Sequence, residues 1–224
     1  MDEARQSPAI AARARPIAAR ARPIAARARQ WLRRLWPAAD RARSQLAREI
    51  YHEVVNQARI PTFYRDLGVP DTPEGRFEMV GLHVALVVRR LRFEGAPGSA
   101  LGQELFDLMF ADIDESLRHI GIGDLSVGKQ IKRLAGYFYA RLKALDEAFA
   151  TAPGGPLRAL LRTNVYLGGA PPSERQLETL VRYLMAADEA LQAQPGASLL
   201  AGRVGFVPPG APRNAAERAA RAGR

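Results

Sequence analysis

A helix that is apolar on two opposite sides must be packed from both of them, and residues 73–93 read as such a helix. At about 100° per residue, Phe77, Val80, Val84, Val87 and Leu91 share one face, while Met79, Leu82 and Leu86 lie nearly opposite. The start is marked by Asp71-Thr72-Pro73-Glu74: a capping side chain, proline in the first turn and an acid at the positive end of the helix dipole. This helix is expected at the centre of the fold. His83 falls between its two faces and reads as a core histidine with internal partners rather than a metal ligand.

The remaining apolar patterns supply the covering layers. Leu46, Ile50, Val54 and Ala58 recur every four residues and stop before Pro61. From about Ser99 to Ile120, Leu105, Phe106, Met109, Ile113, Leu117 and Ile120 occupy one arc, and Glu104, Asp107, Asp114 and Glu115 the other. Asp114 stands one turn before Arg118, a spacing that favours pairing. After the Gly121-Ile122-Gly123 break, residues 126–145 form an amphipathic helix with Lys129, Lys132, Arg133 and Lys143 on its polar side. Two further helices are predicted at about 156–167 and 173–193. No alternating Val/Ile/Thr-rich runs with hairpin signals occur. The sequence predicts an all-α fold: one domain of about six helices over residues 41–207, a basic Ala/Arg-rich flexible arm over 1–40, and a flexible tail over 208–224.

The formal net charge of +10 is unevenly distributed. Residues 1–50 carry +8, residues 51–149 carry −2 and residues 150–224 carry +4. A basic arm on a near-neutral body suits peripheral attachment better than a dedicated nucleic-acid domain. Within the arm, Arg13, Arg20 and Arg27 are seven apart, as are Ile10, Ile17, Ile24 and Trp31. A coiled coil needs two apolar positions per heptad and no Pro16 or Pro23. The repeat ends in Trp31, Leu32, Arg33, Arg34, Leu35 and Trp36, a composition suited to a lipid headgroup boundary. A plain solvated tail, a transit peptide and an RNA contact are the other readings of the arm. The most apolar run, Met79–Val88, is about half the roughly 20 residues that cross a bilayer, and no secretory signal pattern is evident.

Catalysis finds little support. There is no cysteine, which removes disulfides, thiolate metal sites and thiol nucleophiles. Gly123–Gln130 has phosphate-loop spacing, but Gln130 stands where a magnesium-binding hydroxyl is needed, and a helix precedes it where a strand is required. His52-Glu53 begins a zinc-protease pattern that Asn56 breaks. Asp107, Asp112, Asp114 and Glu115 lie along a helix and lack the loop geometry of a calcium site. No enzyme activity and no cofactor are expected.

Four segments, in order, resemble the ubiquinol–cytochrome c reductase (complex III) chaperone family. They are Gln57–Tyr64, with Pro61 and Phe63; Gly68–Met79, with Asp71, Thr72, Gly75, Arg76, Phe77 and Glu78; Glu104–Asp107 with Asp112–Arg118; and Gly121–Lys129, with Asp124. A looser similarity extends to about residue 206 and includes Asn164-Val165-Tyr166. The resemblance implies a chaperone that binds newly made cytochrome b and supports early assembly of complex III. It implies a peripheral site on the cytoplasmic face of a bacterial inner membrane, or the matrix of a mitochondrion. An anionic membrane surface, a ribosome and a small helper protein are the further partners considered; DNA is not. Tyr64, Asp71, Thr72, Arg76, Phe77, Glu78, Asp107, Asp114, Arg118, Asp124, Lys129 and Lys132 are the candidate client-binding residues. Trp31–Trp36 is the candidate membrane-interface segment. The alternative is a peripheral RNA-, ribosome- or membrane-binding protein that acts through the arm.

Overall fold

The computed structural model describes residues 37–119, 136, 138, 140–150 and 155–210. The chain divides into two units, Met1–Arg43 and Ser44–Arg224. In chain order the helices are α1 (Pro37–Ala58), α2 (Pro61–Arg65), α3 (Pro73–Leu91), a 3₁₀ turn (Arg92–Glu94) and α4 (Gly95–His119). They continue with α5 (helical residues 140–150), α6 (Gly155–Thr163), α7 (Glu174–Ala193) and α8 (Gly196–Leu200). Six of these segments are longer than two turns, and no strand occurs among the described residues. The fold is all-α. The Gly121 break, the Gly123–Gln130 segment and most of the helix expected at 126–145 lie outside the described residues, as does the arm through Trp36.

α3 is central, as its two apolar faces require. Every residue from Gly81 to Val87 is buried, with α4 and α7 packed against it. Burial of a Leu, Val or Met side chain there is worth about 1.5–3 kcal/mol. On α1, Ile50, Val54 and Ala58 are fully buried, joined by Ala47. Phe106 and Phe110 on α4 meet Phe138, with ring centroids 5.1 and 6.5 Å from it.

Four boundaries differ from the sequence reading: two flank Gly95, α5 runs on to 150 rather than 145, and α6 ends at Thr163 rather than about 167, where the chain turns. α3 stops at Leu91 rather than Phe93, and α4 begins at Gly95 rather than near Ser99. Gly95 has φ of 65°, which reverses the chain one residue after the 3₁₀ turn. Gly98 then lies so close to the end of α3 that a Cβ there would stand 2.1 Å from the Leu91 carbonyl oxygen. Phe93, expected on the helix, is instead 70% exposed on the turn.

The polar groups on α3 are satisfied by the helices around it. His83 is fully buried. The Met79 carbonyl, 2.7 Å from Nδ1, can only accept, so Nδ1–H donates to it. Nε2 then accepts from the Tyr183 hydroxyl on α7 at 2.6 Å, and that oxygen accepts in turn from Gln57 Nε2 at 2.9 Å. Phe63 stands edge-on to both rings. At the end of α3, Arg89 pairs with Asp146 on α5 and Asp188 on α7, and lies over the Phe149 ring at 4.9 Å. Arg90 donates to the carbonyls of Leu191 and Gln194, at 3.1 and 3.0 Å, and pairs with Glu94 at 2.6 Å. A guanidinium thus caps the end of α7 where its free carbonyls gather.

The loop between α2 and α3 is fixed from below. Gly68, at φ of 71°, turns the chain out of α2. Tyr166 donates to the Leu67 carbonyl at 2.8 Å, and Gln176 to that of Asp66 at 3.3 Å. Pro70 sits between two glycines: a Cβ on Gly75 would lie 2.1 Å from its carbonyl oxygen, and one on Gly169 would lie 2.4 Å from its ring.

Burial holds the His83 pKa down to about 4 from its ordinary 6.5, against the opposing pull of the Met79 carbonyl. Between those values the unfolded chain binds the proton and the folded chain does not. Stability therefore rises with pH across that window and falls as pH drops from 6.5 toward 4, by about 3 kcal/mol in all. NMR titration of the His83 ring should show it neutral at pH 5; a midpoint near 6.5 would contradict this. Gly75→Ala should cost about 1–3 kcal/mol in chemical denaturation, because the obstructing atom is backbone and cannot swing away. Gly155→Ala, with nothing within 4 Å of the added carbon, should be close to neutral.

Candidate functional site

The Pro70 clamp presents a small exposed constellation on α2, the loop and the first turn of α3. Thr72 is the N-cap of α3, its Oγ1 accepting from the Gly75 amide at 3.1 Å. Asp71 stands just before it and accepts from Arg76 Nε at 2.6 Å. The guanidinium of Arg76 also lies 5.8 Å from the Tyr64 ring centroid. Tyr64 is anchored by its hydroxyl, which donates to the Ala58 carbonyl at 2.7 Å. The hydrogen bond from Arg76 holds the Asp71 carboxyl below its usual range, and the same bond raises Arg76. Partial burial raises Tyr64. Asp71 and Arg76 both remain more than half exposed, so the pair is open to exchange partners.

Glu78 and Phe77 point into different surroundings. Glu78 is half-buried and accepts from Arg141 on α5 at 2.9 Å. Arg141 also reaches Asn164 Oδ1 at 3.5 Å and passes close to Gly81, where a side chain would crowd it. Phe77 is half-buried in the second turn of α3. Asp107 is exposed on α4 and accepts from Gln103 at 2.8 Å. On the same helix, Glu104 accepts from Ser44 at 3.0 Å and Asp112 from Tyr51 at 2.7 Å, so part of this acidic face fastens α1. Burial, followed by the Asp112 carboxylate, raises the Tyr51 hydroxyl. The side chains of Asp114 and Arg118 lie outside the described residues, as do Asp124, Lys129, Lys132 and Trp31–Trp36.

One neighbour of the loop has no place in the candidate set. The turn after α6 buries Val165 and Tyr166, then exposes Leu167 to 72%. Hydrogen bonds from Tyr166 N to Leu161 O and from Leu167 N to Asn164 O hold it. Since Tyr166 grips Leu67 and Gly169 meets Pro70, the turn and the loop form one continuous piece of surface. The sequence signal is the uncharged run Tyr166–Pro172 between two charged helices. Burial lifts the Tyr166 hydroxyl to about 12, so it stays a donor at neutral pH.

Among the described residues, no group of three or more His, Asp or Glu side chains is placed to hold a metal ion, and no helix is long and apolar enough to cross a membrane. This surface brings together an exposed charged pair, an aromatic ring and an exposed leucine on a close-packed support.

Residues 65–206 match the family model described as ubiquinol-cytochrome C chaperone. The ubiquinol-cytochrome c reductase complex assembly factor 1 of Mus musculus is 27% identical over 154 residues, covering 69% of this chain and 52% of that protein. Its counterpart in Homo sapiens is 26% identical over 163 residues, covering 72% and 54%. Protein CBP3, mitochondrial, of Saccharomyces cerevisiae is 30% identical over 153 residues, covering 66% and 45%. The chain thus spans about half the length of these curated relatives. The crystal structure of the Cbp3 homolog from Brucella abortus superposes with a TM-score of 0.69 at 32% identity, over 79% of this chain and 96% of that one. A match over more than half the chain, in sequence and in fold, places it: the protein belongs to the ubiquinol–cytochrome c chaperone family.

Proposed function

We propose that the chain is an assembly chaperone for the ubiquinol–cytochrome c reductase complex, and that its client is newly synthesised cytochrome b. The observation that carries this reading is the family match over residues 65–206, joined to relatives named as assembly factors of that complex. The molecule acts by binding rather than by catalysis. Its client surface is the buttressed loop, with Tyr64, Asp71 and Arg76 as direct contacts and Phe77 at the edge. Thr72 and Glu78 position it, the first as a helix cap and the second through Arg141. Leu167 is added as an apolar contact because it is exposed on the same rigid piece of surface. Asp107, Asp114, Arg118, Asp124, Lys129 and Lys132 remain proposed contributors on the strength of the sequence alone.

Such a surface suits a membrane subunit met before its assembly. Apolar helices with charged ends call for an apolar contact beside charges of both signs. The stiffness of the loop lowers the ordering cost of binding. The protein is proposed to work peripherally at the membrane face where cytochrome b is made, with the basic arm and its Trp31–Trp36 segment as the membrane contact.

The test is the reduced-minus-oxidised spectrum of membranes from a strain lacking this protein, with cytochrome b immunoblotted alongside. Selective loss of cytochrome b and complex III, with other haem proteins intact, is expected; unchanged complex III would overturn the reading. Complementation then locates the surface. Arg76→Ala and Leu167→Asp should each weaken client capture roughly tenfold while leaving thermal unfolding nearly unchanged, since both side chains are exposed. Full capture by both variants would remove the loop from the client surface.

A further inference from the structure

Residues 203–207, Arg-Val-Gly-Phe-Val, cross the body as a strap with no helix of its own. Gly202, at φ of 78°, turns the chain out of α8 into this strap. From 203 to 206 its burial alternates as an extended chain's does: Arg203 and Gly205 are exposed, while Val204 and Phe206 are half-buried against the core. Val207 is buried, and the Phe206 ring stands edge-on to His83 at 5.4 Å.

The main chain of the strap is held by side-chain amides. Gln194 accepts from the Gly205 amide at 2.9 Å and donates to the Gly205 carbonyl at 2.8 Å. Gln57 donates to the Val207 carbonyl at 2.8 Å. Both glutamines are fixed on the other side. Gln194 also donates to Ala190 O, its own carbonyl accepts from Arg90, and Gln57 spends its other N–H on Tyr183. Side-chain amides bond backbone without reading sequence, and the apolar positions supply the preference, a division of labour like that of peptide recognition at sheet edges, where main-chain groups make the backbone bonds.

We propose that the groove between α1, α3 and α7, floored by His83 and Tyr183 and edged by Gln57 and Gln194, is a binding site for an extended apolar segment, which the strap occupies in cis. That the natural ligand is a segment of the unassembled membrane subunit rests on the assembly reading above. The strap then acts as an internal competitor. Client binds in proportion to the fraction of molecules in which the strap is out. Any segment that offers an apolar-x-apolar pattern with free backbone groups replaces it. The aromatic on the strap sets the threshold.

The test uses the full chain and a fluorescent peptide of the strap sequence, Arg203–Pro208, as the probe. The wild-type protein should bind it weakly, because the tethered strap competes at a high effective concentration. Phe206→Ala should bind it about tenfold more tightly. Adding Gln194→Ala to that variant should abolish the gain, and a peptide with Asp in place of its Phe should not bind. A merely structural strap predicts the opposite sign or no change: Phe206→Ala no better than wild type, at retained helicity, overturns the proposal. Should that variant fail to fold, hydrogen exchange of the wild type decides. The Gly205 amide should exchange by local opening well ahead of the amides of α7, and exchange only through global unfolding would overturn the idea. No arm of this test contains the client. A negative result therefore removes the groove and leaves the assembly role standing, whereas normal complex III in the deletion strain would do the reverse.

Discussion

Burial of α3 on every side between Gly81 and Val87 governs the rest of the molecule, because a helix in that position has no solvent to satisfy its polar groups. The buried and half-buried polar side chains of its second half find partners on neighbouring helices. His83 uses Tyr183, Arg89 uses Asp146 and Asp188, and Arg90 uses the last carbonyls of α7. Removing one partner would leave a buried donor or charge uncompensated, at a cost above the net worth of the bond itself. These pairs therefore specify which helix lies where, while apolar area supplies most of the stabilisation.

The same economy of position explains the loop. The chain leaves α2 through a glycine in the left-handed region and enters α3 through a threonine cap, with Pro70 wedged between. Of the exposed side chains there, Thr72 takes part in that path as the helix cap. Asp71, Arg76 and Leu167 are mounted on the support without building it, which is the arrangement expected of groups kept for a partner. The Glu78–Arg141–Asn164 chain lies one layer beneath and ties α3, α5 and the Leu167 turn together.

Much of this was legible in the sequence, for identifiable reasons. A 3.6-residue period on two faces has one physical outcome, so the central place of α3 followed from Phe77–Leu91 alone, and Asp71-Thr72-Pro73 marked its start. The end of α3 was not legible. Leu91-Arg92-Phe93 continues the apolar period, and only the left-handed Gly95 and the close approach of Gly98 stop it earlier. His83 was readable as a core residue from its place between the faces, but Tyr183 lies 100 residues away and no local signal joins them. In the candidate set, pairing of Arg76 with an acid was foreseeable from Asp71 five positions earlier. The engagement of Glu78 by Arg141, 63 residues on, was not. Leu167 went unnoticed because a lone leucine in a glycine-rich turn carries no periodic signal, and its meaning comes from the neighbours that tertiary folding supplies.

The two proposed recognition elements differ in what holds them, and that difference has a mechanical consequence. The loop is held by the close approach of Gly75 and Gly169 to Pro70 and by a buried tyrosine, a support that would lower the ordering cost of binding. The strap is held by three amide hydrogen bonds, two of them on an exposed glycine, by the half-buried Val204 and Phe206, and by the buried Val207 at its end. Hydrogen bonds of this kind contribute only about 1 kcal/mol each once water is counted as the alternative partner. An element so held is expected to open locally at lower free energy than the helices beneath it. The proposed role, to hold an unassembled subunit and then surrender it, calls for both properties: a fixed surface to recognise the client, and a weakly held segment whose return to its groove would drive the client out.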